Sequence, residues 1–154
     1  MVEKQEKKAK KAKNKELIML INKTKKKVVA TKVIVRESLW EIIIGLLRYK
    51  IKNEYIYDYL KWKKFSKSNA MLFKVRGKFG IHTWFMSFPI AVFFLNKDMK
   101  VIEKVRLDPF ESYKPKKKYE CFFELEGSRI RDISIGDELE LKSENKPLKK
   151  VNKI

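Results

Sequence analysis

A chain of 154 residues, 44% apolar and 37% charged, can bury one core but is too short for two comfortable domains. Its 38 Lys and Arg against 19 Asp and Glu leave a formal charge of +19, which attracts polyanions in general; nearly all of it is lysine, without the Arg density of dedicated phosphate or base readers. The single cysteine, Cys121, excludes an internal disulfide and a C-x-x-C metal or redox site.

Much of the charge lies at the ends. Residues 1–15 hold seven Lys and two Glu, and residues 142–154 hold five Lys and one Glu, so net +5 and +4 leave +10 for the middle. Neither end has an apolar stripe that could offset the entropy of ordering, so disordered basic tails at 1–15 and 142–154 are expected around one domain at 16–141. The first segment is too charged for a signal peptide, and the LIMLI run after it is too short for a signal's apolar core. A cytoplasmic protein is expected.

In chain order, ELIMLIN (16–22) and KVVATKVIV (27–35) are β-rich runs joined by the polar KTKK, which predicts a hairpin. SLWEIIIGLLRY (38–49) predicts an amphipathic helix. Ser38 and Glu41 form a capping box, and Leu39, Ile42, Ile43, Leu46 and Leu47 share one face. Gly45 inside it costs about 1 kcal/mol relative to Ala, which a close backbone approach would explain. EYIYDYLKWKKF (54–65) reads as a strand with Tyr55, Tyr57 and Tyr59 on one side, or as a helix stacking Ile51, Tyr55 and Tyr59. Its aromatics, interleaved with Lys61, Lys63 and Lys64, suit either an amphipathic connector over the core or base stacking with phosphate pairing.

AMLFKV (70–75) predicts a strand and RGKFG (76–80) a loop. After a turn at 96–98, MKVIEKVRL (99–107) predicts a strand. Met99, Val101, Val105 and Leu107 are placed on one side, with Lys100, Lys104 and Arg106 on the wet side. DPFESYKPKKK (108–118) reads as a loop. YECFFEL (119–125) reads as a strand with Tyr119, Cys121, Phe123 and Leu125 inward, which makes Cys121 a small core hydrophobe. Gly127 and Gly136 turn the chain into a last strand, ELELK (138–142). Many short strands, one short amphipathic helix and no repeats predict a mainly β fold, α+β at the margin, built as a compact single-domain barrel or sandwich.

The window Phe79–Asn96 has no charged residue, but its 18 positions fall short of the roughly 20 a membrane helix needs. Ile81, Thr83, Phe85 and Ser87 alternate with His82, Trp84, Met86 and Phe88, which predicts a half-buried strand. IAVFFL (90–95) is apolar on both faces, as a central covered strand would be. Pro89 cannot donate to a ladder and is expected at a bulge or at the joint between the two strands.

His82 is the only histidine. It has no partner at metal-ligand spacing, and the chain contains no G-x-S-x-G elbow, Walker loop or dinucleotide fingerprint, so no metal, cofactor or catalytic residue is expected. If a ligand pocket exists, its candidates are His82, Trp84 and Met86, placed on one side of a strand at period two with a polar tip between large apolar walls.

IHTWFMSFPIAVFFLN (81–96) resembles the signature I-H-T-F-F-M-x-F-P-I-D-V-x-F-L-D of the domain-of-unknown-function 192 family. GLLR (45–48), MLF (71–73), FFELEG (122–127) and IGDELEL (135–141) resemble, in order, its G-L-M-x-R, G-M-L-F, V-L-E-L-x-x-G and closing G-D-x-L segments. The resemblance spans about residues 28–141 and implies a compact β-dominated domain with a short packed helix, but no substrate or mechanism. Ala91, Leu47 and Ala70 stand where the family carries an acid, a methionine and a glycine.

The leading expectation is a small soluble non-enzymatic binding or accessory domain. The alternatives are non-specific nucleic-acid association, a weak polyanion attraction through the basic tails and the 55–65 segment, and a hydrolase using His82.

Overall fold

The computed structural model describes residues 17–37, 68–84, 86 and 88–144. The predicted helix at 38–49, the aromatic-basic segment at 55–65, and the tails at 1–15 and beyond 144 lie outside them.

The hairpin forms: β1 (Ile18–Asn22) pairs antiparallel with β2 (Lys27–Ala30) across a turn at 23–26. The run predicted as one strand over 27–35 is two. The Thr31 N–H bonds to the Ser68 carbonyl at 2.8 Å, and the chain crosses there into β3 (Lys32–Arg36), which belongs to a different sheet. β3 pairs in parallel with β4 (Asn69–Phe73). The charge-free window contributes β5 (Ile81–His82) and β6 (Ile90–Leu95), followed by β7 (Val101–Leu107). The segment predicted as a plain loop at 108–118 carries the short β8 (Ser112–Tyr113), paired to β5. β9 (Cys121–Glu126) runs into a 3₁₀ turn at Gly127–Arg131. The last strand, β10 (Leu139–Ser143), extends into the segment assigned as a tail by pairing with β1.

The strands assemble as a three-stranded sheet β10-β1-β2, a five-stranded sheet β3-β4-β9-β6-β7 and the two-stranded β5-β8 pair. The mainly β expectation holds, but the barrel does not. The large sheet keeps two edges, β3 and β7, and an isolated bridge between Lys100 and Glu138 links it to the small sheet without closing a cylinder.

Three layers result. The main core, including Leu20, Val33, Leu72, Phe93, Phe123 and Leu139, fills the space between the small sheet and one face of the large sheet. A second cluster, including Val75, Ile81, Ile90, Val92, Phe94, Tyr119 and Phe122, lies on the opposite face under β5, β8 and the adjoining loops. β6 is therefore buried along its whole length: Ala91, Phe93 and Leu95 enter the main core, while Ile90, Val92 and Phe94 enter the second. This is why a strand can be apolar on both faces without entering a membrane. No helix among the described residues is long and apolar enough to cross one.

Two inward faces differ from the period-two expectation. In β7, Leu95 pairs with Val101 but Phe94 pairs with Glu103, so Ile102 is an inserted residue. The bulge flips the side-chain parity: Met99 and Val101 pack on the main core, whereas Val105 and Leu107 join the second cluster. In β9, Cys121, Phe123 and Leu125 enter the main core, but Tyr119 precedes the strand and is buried in the second cluster. Pro89 sits at the joint ahead of β6, as expected. Its carbonyl accepts from the Gly127 N–H at 2.9 Å, and a β-carbon on Gly127 would stand 2.8 Å from the proline ring.

Candidate functional site

The strand predicted before Pro89 stops after His82 because Thr83 diverts the chain. Thr83 is fully buried, and its N–H donates to the Glu111 carbonyl at 2.8 Å. Its own carbonyl accepts from Met86 N and from Phe110 N, each at 3.1 Å, and its hydroxyl donates to the Asp108 carbonyl. Glu111 N in turn donates to the Thr83 hydroxyl at 3.0 Å. One small polar side chain thus ties a tight turn to the 108–111 loop and satisfies its buried backbone groups.

His82, Trp84 and Met86 consequently do not line one side of an extended strand. The turn still brings the His82 and Trp84 rings together, with centroids 5.2 Å apart and planes at 40°. Trp84 is 54% exposed, and Met86 packs against the second apolar cluster. The His82 Nδ1 is buried and has no hydrogen-bond partner among the described residues. Burial pushes the imidazole below its ordinary value, so the ring is neutral at pH 7 and carries one donor and one acceptor nitrogen. A buried polar atom without a partner is uncommon in a native fold and calls for a cause.

Two carboxylates occupy the same side of the large sheet. Glu103 is buried and satisfied: its oxygens accept from the Tyr113 hydroxyl at 3.0 Å and from the Lys116 N–H at 3.0 Å. Glu124, in the middle of β9, is opposite Met71 on β4 and Val92 on β6. It makes no hydrogen bond or ion pair among the described residues, and burial pushes its carboxyl up to about 7. The expectation for 119–125 places only Tyr119, Cys121, Phe123 and Leu125 inward and so misses Glu124. The adjacent Phe122 and Phe123 were the available signal, because two consecutive large apolar side chains mark a strand covered on both faces.

Ala91 is fully buried in the main core and pairs in register with Arg106 and Leu125. An acid at this position would face a guanidinium across the strand pair. Here the Arg106 Nη1 instead meets Asp108 Oδ1 at 2.7 Å. Cys121 is a buried free thiol, pushed up to about 11 mainly by its burial. Among the described residues, no group of three or more His, Cys, Asp or Glu is placed to hold a metal ion.

Residues 21–141 match the profile of the DUF192 family, described as "Uncharacterized ACR". No functionally curated protein matches the chain. Two solved structures share the fold. One is a candidate transcription regulator from Sinorhizobium meliloti, 16% identical, with a TM-score of 0.59, covering 81% of this chain and 92% of that one. The other is a protein of unknown function from Novosphingobium aromaticivorans, 14% identical, with a TM-score of 0.58, covering 80% and 83%. At these identities the likeness is one of fold alone.

Proposed function

The chain belongs to the DUF192 family, and from that premise we propose that it is a small binding domain that takes its ligand at the His82–Trp84 turn. The observation that carries this reading is the buried Nδ1 of His82, without a hydrogen-bond partner among the described residues, beside the exposed Trp84 indole. A neutral imidazole offers one directional hydrogen bond without a charge, and the indole offers a flat apolar wall. The fitting ligand is therefore a small, uncharged, planar molecule that stacks on the exposed Trp84 indole and reaches Nδ1, buried in the unliganded chain, once the His82 ring turns outward. The Thr83 network holds the turn in shape before anything binds, which lowers the ordering cost of association.

A fragment screen by nuclear magnetic resonance tests this. Neutral heterocycles added to the full chain should shift the Trp84 indole N–H and the His82 ring protons together. His82→Phe keeps an aromatic body but removes both ring nitrogens, and should abolish those shifts. Hits that gather elsewhere on the protein, or that bind His82→Phe equally well, refute the assignment.

A further inference from the structure

The polyanion contact expected from composition lies in the tails and the 55–65 segment. The folded domain carries a separate basic surface where two loops are clamped together. Gly77 and Tyr119 exchange backbone hydrogen bonds at 2.9 and 2.8 Å, setting the 76–79 loop beside the end of the 114–118 loop. Three further contacts fix these backbones. The buried Tyr119 donates its hydroxyl to the Phe79 carbonyl at 3.2 Å, Pro115 is buried, and the Lys116 N–H is held by the buried Glu103 carboxylate.

The side chains on this clamped frame point to a ligand. Arg76, Lys78, Lys114, Lys116, Lys117 and Lys118 are all exposed. Arg76 pairs with Glu120 at 3.1 Å, whereas the five lysines form no ion pair among the described residues, unlike Lys23, Lys25 and Lys74 elsewhere. Like charges gathered on two paired loops repel one another, and a polyanion relieves that repulsion. Among them stands Phe79, 50% exposed, its ring closed over Gly77 so that Cε2 lies 2.5 Å from where a β-carbon would stand. The ring is thus positioned by glycine on one side and open to solvent elsewhere.

We propose that this junction binds single-stranded nucleic acid, with the lysines holding phosphates and Phe79 stacking on one base. Lysine rather than arginine suits backbone attraction without sequence readout, and an exposed ring within a basic surface is the stacking platform such binding uses. A partner bound by charge alone would make no use of the ring.

Fluorescence anisotropy of the full chain with a labelled oligothymidine of about 12 nucleotides tests the proposal, with a duplex of the same length and heparin as comparison ligands. Reversing Lys116, Lys117 and Lys118 to Glu should weaken oligothymidine binding at least about tenfold more than reversing Lys27, Lys32 and Lys97, which changes net charge equally. The first triple should also flatten the log–log salt slope by about 2. Phe79→Ala, which alters no charge, should weaken oligothymidine binding about five- to tenfold and leave heparin binding unchanged, while Phe79→Trp restores it. The proposal is overturned if the two triples lose affinity equally, if Phe79→Ala affects both ligands or neither, or if the duplex binds as tightly as the single strand.

Discussion

Glu124 should contribute a loss of stability as the solution turns from acid to neutral. Its carboxyl lies on the sheet between Met71 and Val92 with no hydrogen-bond donor among the described residues, and burial raises it from 4.5 to about 7. In the unfolded chain the same group ionises near 4.5. Between those values the native state binds more protons than the unfolded state, so unfolding free energy declines with rising pH. A shift of this size corresponds to about 3 kcal/mol at 1.36 kcal/mol per unit, and to about 2 kcal/mol once the partial exposure of the side chain is allowed for. The penalty is absent below pH 4.5 and complete above pH 7. His82 acts in the opposite sense: its lowered value adds stability as pH rises through the ordinary histidine range. Urea denaturation of the wild type and Glu124→Gln at pH 5, 6, 7 and 8 separates the two, because both proteins carry His82. The difference between them should grow by about 2 kcal/mol in favour of the variant from pH 5 to pH 8. Parallel pH profiles would refute the reasoning, since a Glu124 that stays solvated and ordinary has no such dependence.

Three further outcomes follow from the packing. Gly127→Ala places a methyl 2.8 Å from Pro89 Cβ and 3.0 Å from its carbonyl carbon, so thermal unfolding should show a loss of about 2 kcal/mol. Asn22 is fully buried and donates to Asp137 Oδ2 at 2.7 Å. Burial pushes Asp137 up, but the Ser134 N–H, Asn22 and Lys25 together hold it below its ordinary value. Asn22→Ala should therefore cost about 2 kcal/mol and move the acid-unfolding midpoint to higher pH, because stability from a depressed carboxylate is lost as pH falls through its folded value. Cys121, raised from 9.0 to about 11, holds about a hundredfold less thiolate at pH 8 than an ordinary thiol. An aromatic disulfide reagent should leave it untouched in the native chain and titrate it fully in urea.

Strand placement was legible because it depends on local pattern. The β1–β2 hairpin, β4, β7, β9 and β10 lie where alternation and turn residues put them, and the uninterrupted apolar run 90–95 is the doubly buried β6. Pro89 marked the joint for a local reason, its missing N–H. Facing was less legible, because one inserted residue reverses parity. The bulge at Ile102 moves Val105 and Leu107 to the second cluster, and only the register against β6 reveals it. The candidate site was half legible. His82 and Trp84 do meet, yet through a turn imposed by Thr83, whose partners lie 25 to 28 residues away in sequence.

By itself, then, the sequence determined the mainly β class, the positions of β1, β4, β6, β7, β9 and β10, the family and the absence of charge from the central strand. These follow from periodicity and composition, which act over a few neighbouring residues. Tertiary structure decided the open sheets in place of a barrel, the partial burial of Glu124, the buried Nδ1 of His82 with no partner among the described residues, and the clamped basic junction at Gly77 and Tyr119. Each depends on which distant segment covers a face or pairs with an edge, and long-range pairing is set by the packing of the whole domain.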